Sequence, residues 1–413
     1  MARGVTTRAA ALGYGGAVAN VDLMERAAVE PETIPFNRAS IEGAELDYMR
    51  ATLESGHTSS SGVFAKRVGA ALQEESGAEE VLLTTSCTSA LELSAMLLDL
   101  QPGDTVVVPS FTFTTTALAF VRQGARIVFC DIEPRTLGLH PEHLATLLDE
   151  SVRAVVPVHY AGVACDIDGI RSVLADRPDV AVIEDNAHGL FGRWRDQPLG
   201  SFGRFSTLSF HETKNFVCGE GGALLLNEAR DVDRARVLYD KGTNRRAFHL
   251  GQVDKYSWKD TGSSFGLSDT LAAYLWAQLE QRTQIQAKRR ALFETYATAL
   301  EPHAERLGLR LPVVPDGAEA AYHMFYVLVR DQATRDAVLQ GMRAEGVQPT
   351  FHYVPLHSSE AGRRFSARST PCPVTDDVSG RLLRLPFYNN LPPDDAQRVI
   401  DTFLRALDAA ESH

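Results

Sequence analysis

The sequence predicts an α/β fold, with a mostly parallel sheet in a large domain and a smaller α/β domain at the C-terminal end. Three observations carry the prediction. Short, β-branched apolar runs alternate with helical patterns from about Val81 to Leu226, which implies parallel strands joined by crossover helices. The runs are apolar on both faces, as strands covered from both sides must be. A chain of 413 residues is too long for one small domain and short for three.

The elements follow in chain order. Residues 1–33 are rich in small residues and lack a helical period, so a flexible extension is expected there, a cleaved leader being the alternative. Ordered structure is expected from about Ile34. Strands are expected at Val81–Thr84, Thr105–Val108, Ala125–Cys130, Ala154–Tyr160, Val180–Glu184 and Phe205–Ser209, with a further strand after Gly219-Glu-Gly-Gly222. Helices are expected at Ser89–Leu100, Thr114–Arg122, Pro141–Asp149 and Ile167–Ala175. One long helix is predicted over Leu267–Leu300, linking a large domain (34–285) to a small one (286–413). The small domain should hold strands at Met324–Val329 and Val347–His352 and helices at Ala333–Glu345 and Asp394–Ala410. The last opens on Pro393-Asp-Asp, proline and acids being favoured in a first turn.

Composition excludes several functions. With 53 acidic against 41 basic residues the net charge is −12, which disfavours an electrostatic nucleic-acid binder. No apolar run is long enough to span a membrane. Five cysteines, none spaced C-x-x-C, point to free thiols in a reducing cytoplasm. His140-Pro-Glu-His143 is a poor metal pair, since the first histidine precedes a proline at a helix start; no metal is expected. Only six of the basic residues are lysines, so each merits inspection.

Lys214 follows a buried strand and precedes a glycine turn into another. A free ammonium there is costly to bury, unless the side chain snorkels to the surface. A desolvated lysine has the lowered pKa that imine formation needs. Asp185 ends a buried strand, where it could cap a helix or pair with a pyridinium nitrogen. Thr84-Thr-Ser-Cys-Thr-Ser-Ala-Leu91 lies between strand and helix, where amides and hydroxyls suit a phosphate or simply cap the helix. Phe113 follows a strand and could stack on a flat heteroaromatic ring or belong to the core. A phosphate cradle, a stacking ring, a carboxylate and a lysine, all at strand ends, are together what pyridoxal 5′-phosphate requires.

On these residues the chain resembles the DegT/DnrJ/EryC1/StrS aminotransferases, a branch of the fold type I pyridoxal phosphate enzymes. The resemblance rests on Pro102-Gly-Asp, Pro109-Ser-Phe-Thr-Phe113, Glu184-Asp-Asn-Ala-His188, Ser209-Phe-His-Glu-Thr-Lys214 and Gly219-Glu-Gly-Gly222. Val156–Cys165, Lys241–Arg245, Gly251–Tyr256, Gly262–Ser264 and Phe351–His357 are similar to the subgroup of TDP-4-amino-4,6-dideoxygalactose transaminases.

The resemblance implies that Lys214 carries the cofactor and moves the proton, and that Asp185 pairs with the ring nitrogen. It also implies that His188 contacts the phenol oxygen, that Phe113 stacks on the ring, and that Thr88, Ser89 and Ser209 bind the phosphate. Ser264 stands where many relatives have an asparagine that reaches the neighbouring subunit's cofactor phosphate. His211, Asn244, Tyr353 and His357 are candidate sugar contacts. The implied activity is transfer of an amino group from L-glutamate to C4 of a TDP-4-keto-6-deoxyhexose, with galacto configuration, by a cytoplasmic homodimer with shared active sites. A TDP-4-ketopentose, as in antibiotic aminosugar synthesis, is the alternative acceptor. A non-catalytic nucleotide-sugar sensor is the rival class, and it would have no need of Lys214.

Overall fold

The structure, a computed structural model, describes residues 33–411; the expected N-terminal extension lies outside them but for Thr33. Seven strands form the central sheet: β1 (Glu80–Thr84), β2 (Thr105–Pro109), β3 (Arg126–Cys130), β4 (Val152–Val155), β5 (Ala181–Asp185), β6 (Phe205–Ser209) and β7 (Gly222–Leu226). Their order is β1-β7-β6-β5-β4-β2-β3. Strands β6, β5, β4, β2 and β3 run parallel, whereas β7 is antiparallel to both β6 and β1. The mostly parallel α/β fold is as predicted.

The topology decides where chemistry can happen. Because β7 alone is reversed, β1 points the same way as β6. The C-terminal ends of β1, β2, β4, β5 and β6 therefore share one edge with the N-terminal end of β7. Register confirms this, since Gly222 pairs with both Thr84 and Ser209. Ligands of parallel sheets bind at that edge.

Both faces of the sheet are buried, with the period of two that pleating imposes. Val106, Val108, Ile127 and Phe129 pack under the helices Cys87–Leu97 and Thr114–Arg122. Val107, Val128 and Cys130 pack on the other side with Leu144, Ile167 and Ile170. Leu83, Leu208 and Leu225 pack against Phe64, Ala272 and Leu275.

A second sheet lies toward the C-terminus: β8 (Tyr326–Leu328), β9 (Thr350–Phe351) and β10 (Leu382–Arg384), with β10 in the middle and antiparallel to both neighbours. Its core joins Val327, Leu383, Val338, Ile400 and Phe403 to Tyr296 and Leu300, and takes in Ile34, which bridges Val347.

Three sequence expectations are corrected. The predicted single helix over Leu267–Leu300 is two, Asp269–Glu280 and Arg282–Ala304, broken at Gln281. Neither glycine nor proline marks the break. It arises because Leu275 and Leu279 pack on the central sheet, while Tyr296 and Leu300 pack in the C-terminal core. The strand expected to Tyr160 stops at Val155; Pro157 has no N–H to donate, and its carbonyl accepts Asp185 N at 2.9 Å. The strand expected at Val347–His352 shortens to Thr350–Phe351, after Pro349. Pro302 is accommodated inside Arg282–Ala304, in its last turn. No helix among the described residues is long and apolar enough to cross a membrane.

Candidate active site

Beyond β1 the chain turns into the helix Cys87–Leu97 through Ser86, whose Oγ accepts the amide of Ser89 at 3.1 Å. The Ser89 hydroxyl lies 2.9 Å from Thr85 Oγ1 and 3.1 Å from Ser86 Oγ. Hydroxyls thus gather at the positive end of a helix, an arrangement that favours an anion. Thr88 and Ser89 are half-buried there.

Gly222 makes this close packing possible. A β-carbon on it would press against the Ser86 carbonyl and the Cys87 nitrogen, both of them backbone that cannot rotate away. Gly222→Ala is therefore expected to cost about 1–3 kcal/mol, the usual scale of overpacking, and to displace the helix start. Urea titration gives the first quantity, and the Kd for pyridoxal phosphate should rise with it.

Asp185 closes β5 and is 6% exposed. Its Oδ2 accepts the Thr116 hydroxyl at 2.7 Å, and Thr112 Oγ1 lies 2.9 Å from Thr116. Its Oδ1 accepts the amide of Ala187 at 3.2 Å. The threonines flanking Phe113 therefore aim the carboxylate. The preceding residue, Glu184, serves the scaffold: it accepts the amides of Gly200, Phe202 and Gly203 at 2.8, 2.7 and 2.7 Å, and lies 2.8 Å from His159 Nε2. Adjacent acids in one motif have separate duties because successive strand residues point to opposite sides.

Lys214 lies in the loop between β6 and β7, which is pinned by Phe210 N to Gly221 O at 2.8 Å and by Lys214 N to His211 O at 2.9 Å. It is half-buried. Burial pushes its ammonium down to about 8, against the opposing pull of Cys87 and Asp185 and with a further push from Arg384. Lysine and aspartate are therefore within electrostatic reach of each other, at the edge of the sheet that the topology selects.

His188 is buried, stacks on His323 at 4.1 Å with the rings 16° apart, and has no partner for Nδ1. His323 Nδ1 meets Asn215 Oδ1 at 2.9 Å, and Asn215 donates to the Ala321 carbonyl at 2.6 Å. Burial and the charge of Lys214 hold His188 well below the ordinary histidine range, and burial with the proximity of His188 does the same to His323; both rings are neutral near pH 7. Phe113 is 56% exposed, its ring 6.4 Å from that of Tyr353. Tyr353 also packs against Phe111 and Tyr160.

The other sequence candidates lie in different settings. Ser209 ends β6, half-buried beside the lysine loop. His211 faces Thr213 Oγ1 at 3.0 Å and Glu220 at 3.6 Å. His357 is held by Ser110, Nδ1 to Oγ at 2.7 Å, and Asn244 accepts the Ser257 amide at 2.7 Å. Ser264 is exposed and lines a separate cleft of about 1060 Å³ with Lys66, Arg236 and Lys241; neither Lys214 nor Asp185 lines that cleft. His143 accepts the Asp131 amide at 2.8 Å, a structural role.

Sequence reading missed Thr116, Asn215, His323, His352 and Arg384. Thr116 sits in a threonine run that reads as helix capping, and Asn215 directly follows the lysine. His352 lies within the string Phe351–His357, where Tyr353 and His357 drew attention instead; His323 and Arg384 come from elements remote in sequence, with no local motif to mark them.

The sequence profile described as the DegT/DnrJ/EryC1/StrS aminotransferase family matches residues 39–404. The spore coat polysaccharide biosynthesis protein SpsC of Bacillus subtilis is 30% identical over 379 residues, covering 89% of this chain and 95% of SpsC. The crystal structure of the aminotransferase TlmJ from Streptoalloteichus hindustanus superposes with a TM-score of 0.84 at 30% identity, covering 91% of this chain and 99% of TlmJ. The putative sugar aminotransferase Spr1654 from Streptococcus pneumoniae, in its PMP form, shares the fold with a TM-score of 0.85 at 23% identity, covering 92% and 99% of the two chains.

Proposed function

The chain belongs to the DegT/DnrJ/EryC1/StrS aminotransferase family, and from that membership we propose that it transfers the amino group of L-glutamate to C4 of a TDP-4-keto-6-deoxyhexose, giving a product of galacto configuration. It is a pyridoxal phosphate-dependent sugar aminotransferase. When bound, the cofactor supplies an aldehyde that takes up an amine and a ring that withdraws electrons from the carbon being deprotonated.

The residues present suit that group. A desolvated lysine and a buried, doubly anchored carboxylate lie within electrostatic reach of each other. A buried imidazole nitrogen beside them lacks a partner, and a helix start bearing hydroxyls lies at the same edge. In the proposed arrangement Lys214 carries the cofactor covalently and afterwards, as a free neutral amine, moves a proton at Nζ. Asp185 holds a proton on the ring nitrogen, Thr88, Ser89 and Ser209 take the phosphate, and Phe113 covers the ring. His188 turns Nδ1 to the phenol oxygen.

Ser264, exposed on its own cleft, is assigned to the partner's site in a homodimer, and the enzyme is placed in the cytoplasm. Tyr353, beside Phe113, is the best placed of the four sugar-contact candidates; His211, Asn244 and His357 already have partners. The subgroup strings, Phe351–His357 among them, support the TDP-hexose assignment.

The observation that carries the reading is the placing of Lys214 and Asp185 within electrostatic reach of each other at one edge of the sheet, which a non-catalytic sensor would not need. Substrate choice is tested by offering glutamate with either the TDP-4-keto-6-deoxyhexose or the TDP-4-ketopentose. A higher kcat/KM is expected for the hexose, and a strong pentose preference would reject it.

A further inference from the structure

We propose that His323, held by Asn215, is a positioning residue whose ring fixes the plane in which His188 meets the cofactor's phenol oxygen. The inference rests on the aminotransferase reading and deepens it. His188 is buried, its Nδ1 has no partner, and no side-chain hydrogen bond among the described residues holds its ring. Ring contacts alone set its orientation. It lies on His323 with the centroids 4.1 Å and the planes 16° apart, and Tyr160 meets it edge-on at 6.0 Å. A side chain that must aim one N–H at a ligand atom thus takes its aim from a neighbour's ring.

His323 is fixed from several sides. Asn215 Nδ2 donates to the Ala321 carbonyl at 2.6 Å, which turns Asn215 Oδ1 toward His323 Nδ1 at 2.9 Å. An amide oxygen only accepts, so His323 carries its proton on Nδ1. The His323 amide donates to the Ala161 carbonyl at 3.3 Å, and the His323 carbonyl accepts Arg289 Nη2 at 2.5 Å. Arg289 Nε also donates to the Tyr322 carbonyl at 2.8 Å. Ala161 and Tyr322 both adopt left-handed backbone, at φ 57° and 52°. Such conformations persist in residues other than glycine where the surroundings over-determine them.

The imidazole pair stays neutral. Burial foremost, then His188, Lys214, Arg384 and Arg289, disfavours a second proton on His323; burial, Lys214, His352 and Arg384 do the same on His188. A neutral His188 has one ring N–H to give, so the set of its ring decides whether that N–H reaches the phenol oxygen. Asn215 directly follows Lys214, so one loop carries both the lysine and the pin. A donor at the phenol oxygen draws charge from it and loosens a proton which that oxygen shares with Lys214 Nζ when the cofactor is attached. Without the stack the ring turns, the donation weakens and the proton is held more tightly.

The holoenzyme reports this through the pH titration of its visible band. His188→Leu should raise the midpoint by about one pH unit, the scale of one hydrogen bond to a charged oxygen. His323→Leu should raise it by at least about half as much, and should add nothing in a His188→Leu background, because it acts through that ring. His323→Phe keeps a flat ring for the stack and should bring most of the shift back. Should His323→Leu not fold, Asn215→Ser, which frees the His323 ring, must shift the midpoint the same way, and again not in the His188→Leu background. Nitrogen NMR of the histidine-labelled full-length protein, before cofactor is added, should show His323 as the Nδ1–H tautomer, and Asn215→Ser should release it to a mixture. Shifts that add in the double variant, or a wild-type His323 protonated on Nε2, overturn the proposal. Wild-type protein that takes up no pyridoxal phosphate fails the aminotransferase reading and the proposal with it; additive shifts in protein with a normal visible band sink the proposal alone.

Discussion

Lys214→Ala is expected to lower kcat by about 10⁴-fold or more, since it removes both the covalent attachment point and the proton carrier. The variant should also lose the visible absorbance that a lysine-bound cofactor gives the purified protein. Two consequences follow from an amine pushed down to about 8 from the ordinary 10.5. Capture of added cofactor by the cofactor-free protein requires the neutral amine, so its rate should fall about tenfold for each pH unit below 8. Between pH 8 and 10.5 the unfolded chain keeps a proton on this lysine that the folded chain has released. Stability must then rise with pH across that window. Lys214→Met removes the group, and its thermal midpoint should rise less than that of the wild type over the same interval. Equal slopes would place the amine in ordinary solvent.

Asp185→Asn is expected to have the second largest effect. The amide is nearly isosteric: its oxygen can still accept from the Ala187 amide, and its NH2 can donate to the Thr116 hydroxyl, where the carboxylate accepts at 3.2 and 2.7 Å. What it loses is the negative charge that keeps a proton on the ring nitrogen. Removing one preorganised electrostatic partner costs about 10²–10³-fold in kcat, and that loss is expected here with thermal stability retained. Asp185→Glu should fail as badly, because the threonine pair fixes the carboxylate where the shorter side chain ends. A full-speed Asp185→Asn enzyme would remove the ring-nitrogen role.

The sheet was legible because its strands are continuous β-branched runs closed by small or charged residues, as in Thr105–Pro109 and Ala181–Asp185. Lys214 and Asp185 were legible for the same reason: each directly follows or ends such a run, so burial and strand-end placement could be read locally. The break at Gln281 was not, since it comes from two helices serving two cores rather than from a breaker residue. Strand β10 has three residues ahead of a proline, too few for any period to show. With it went Arg384, whose charge bears on Lys214 only through the fold. His323 was hidden likewise: its ring matters because it stacks on a residue 135 positions earlier in the chain.

The most direct measurement is borohydride reduction of the pyridoxal phosphate-loaded protein followed by peptide mass spectrometry. A single pyridoxyl label on the peptide containing Lys214, absent in Lys214→Ala, is the predicted result. A label on Lys241 or another lysine, with Lys214 unmodified, would contradict the assignment of this pocket as the site of chemistry.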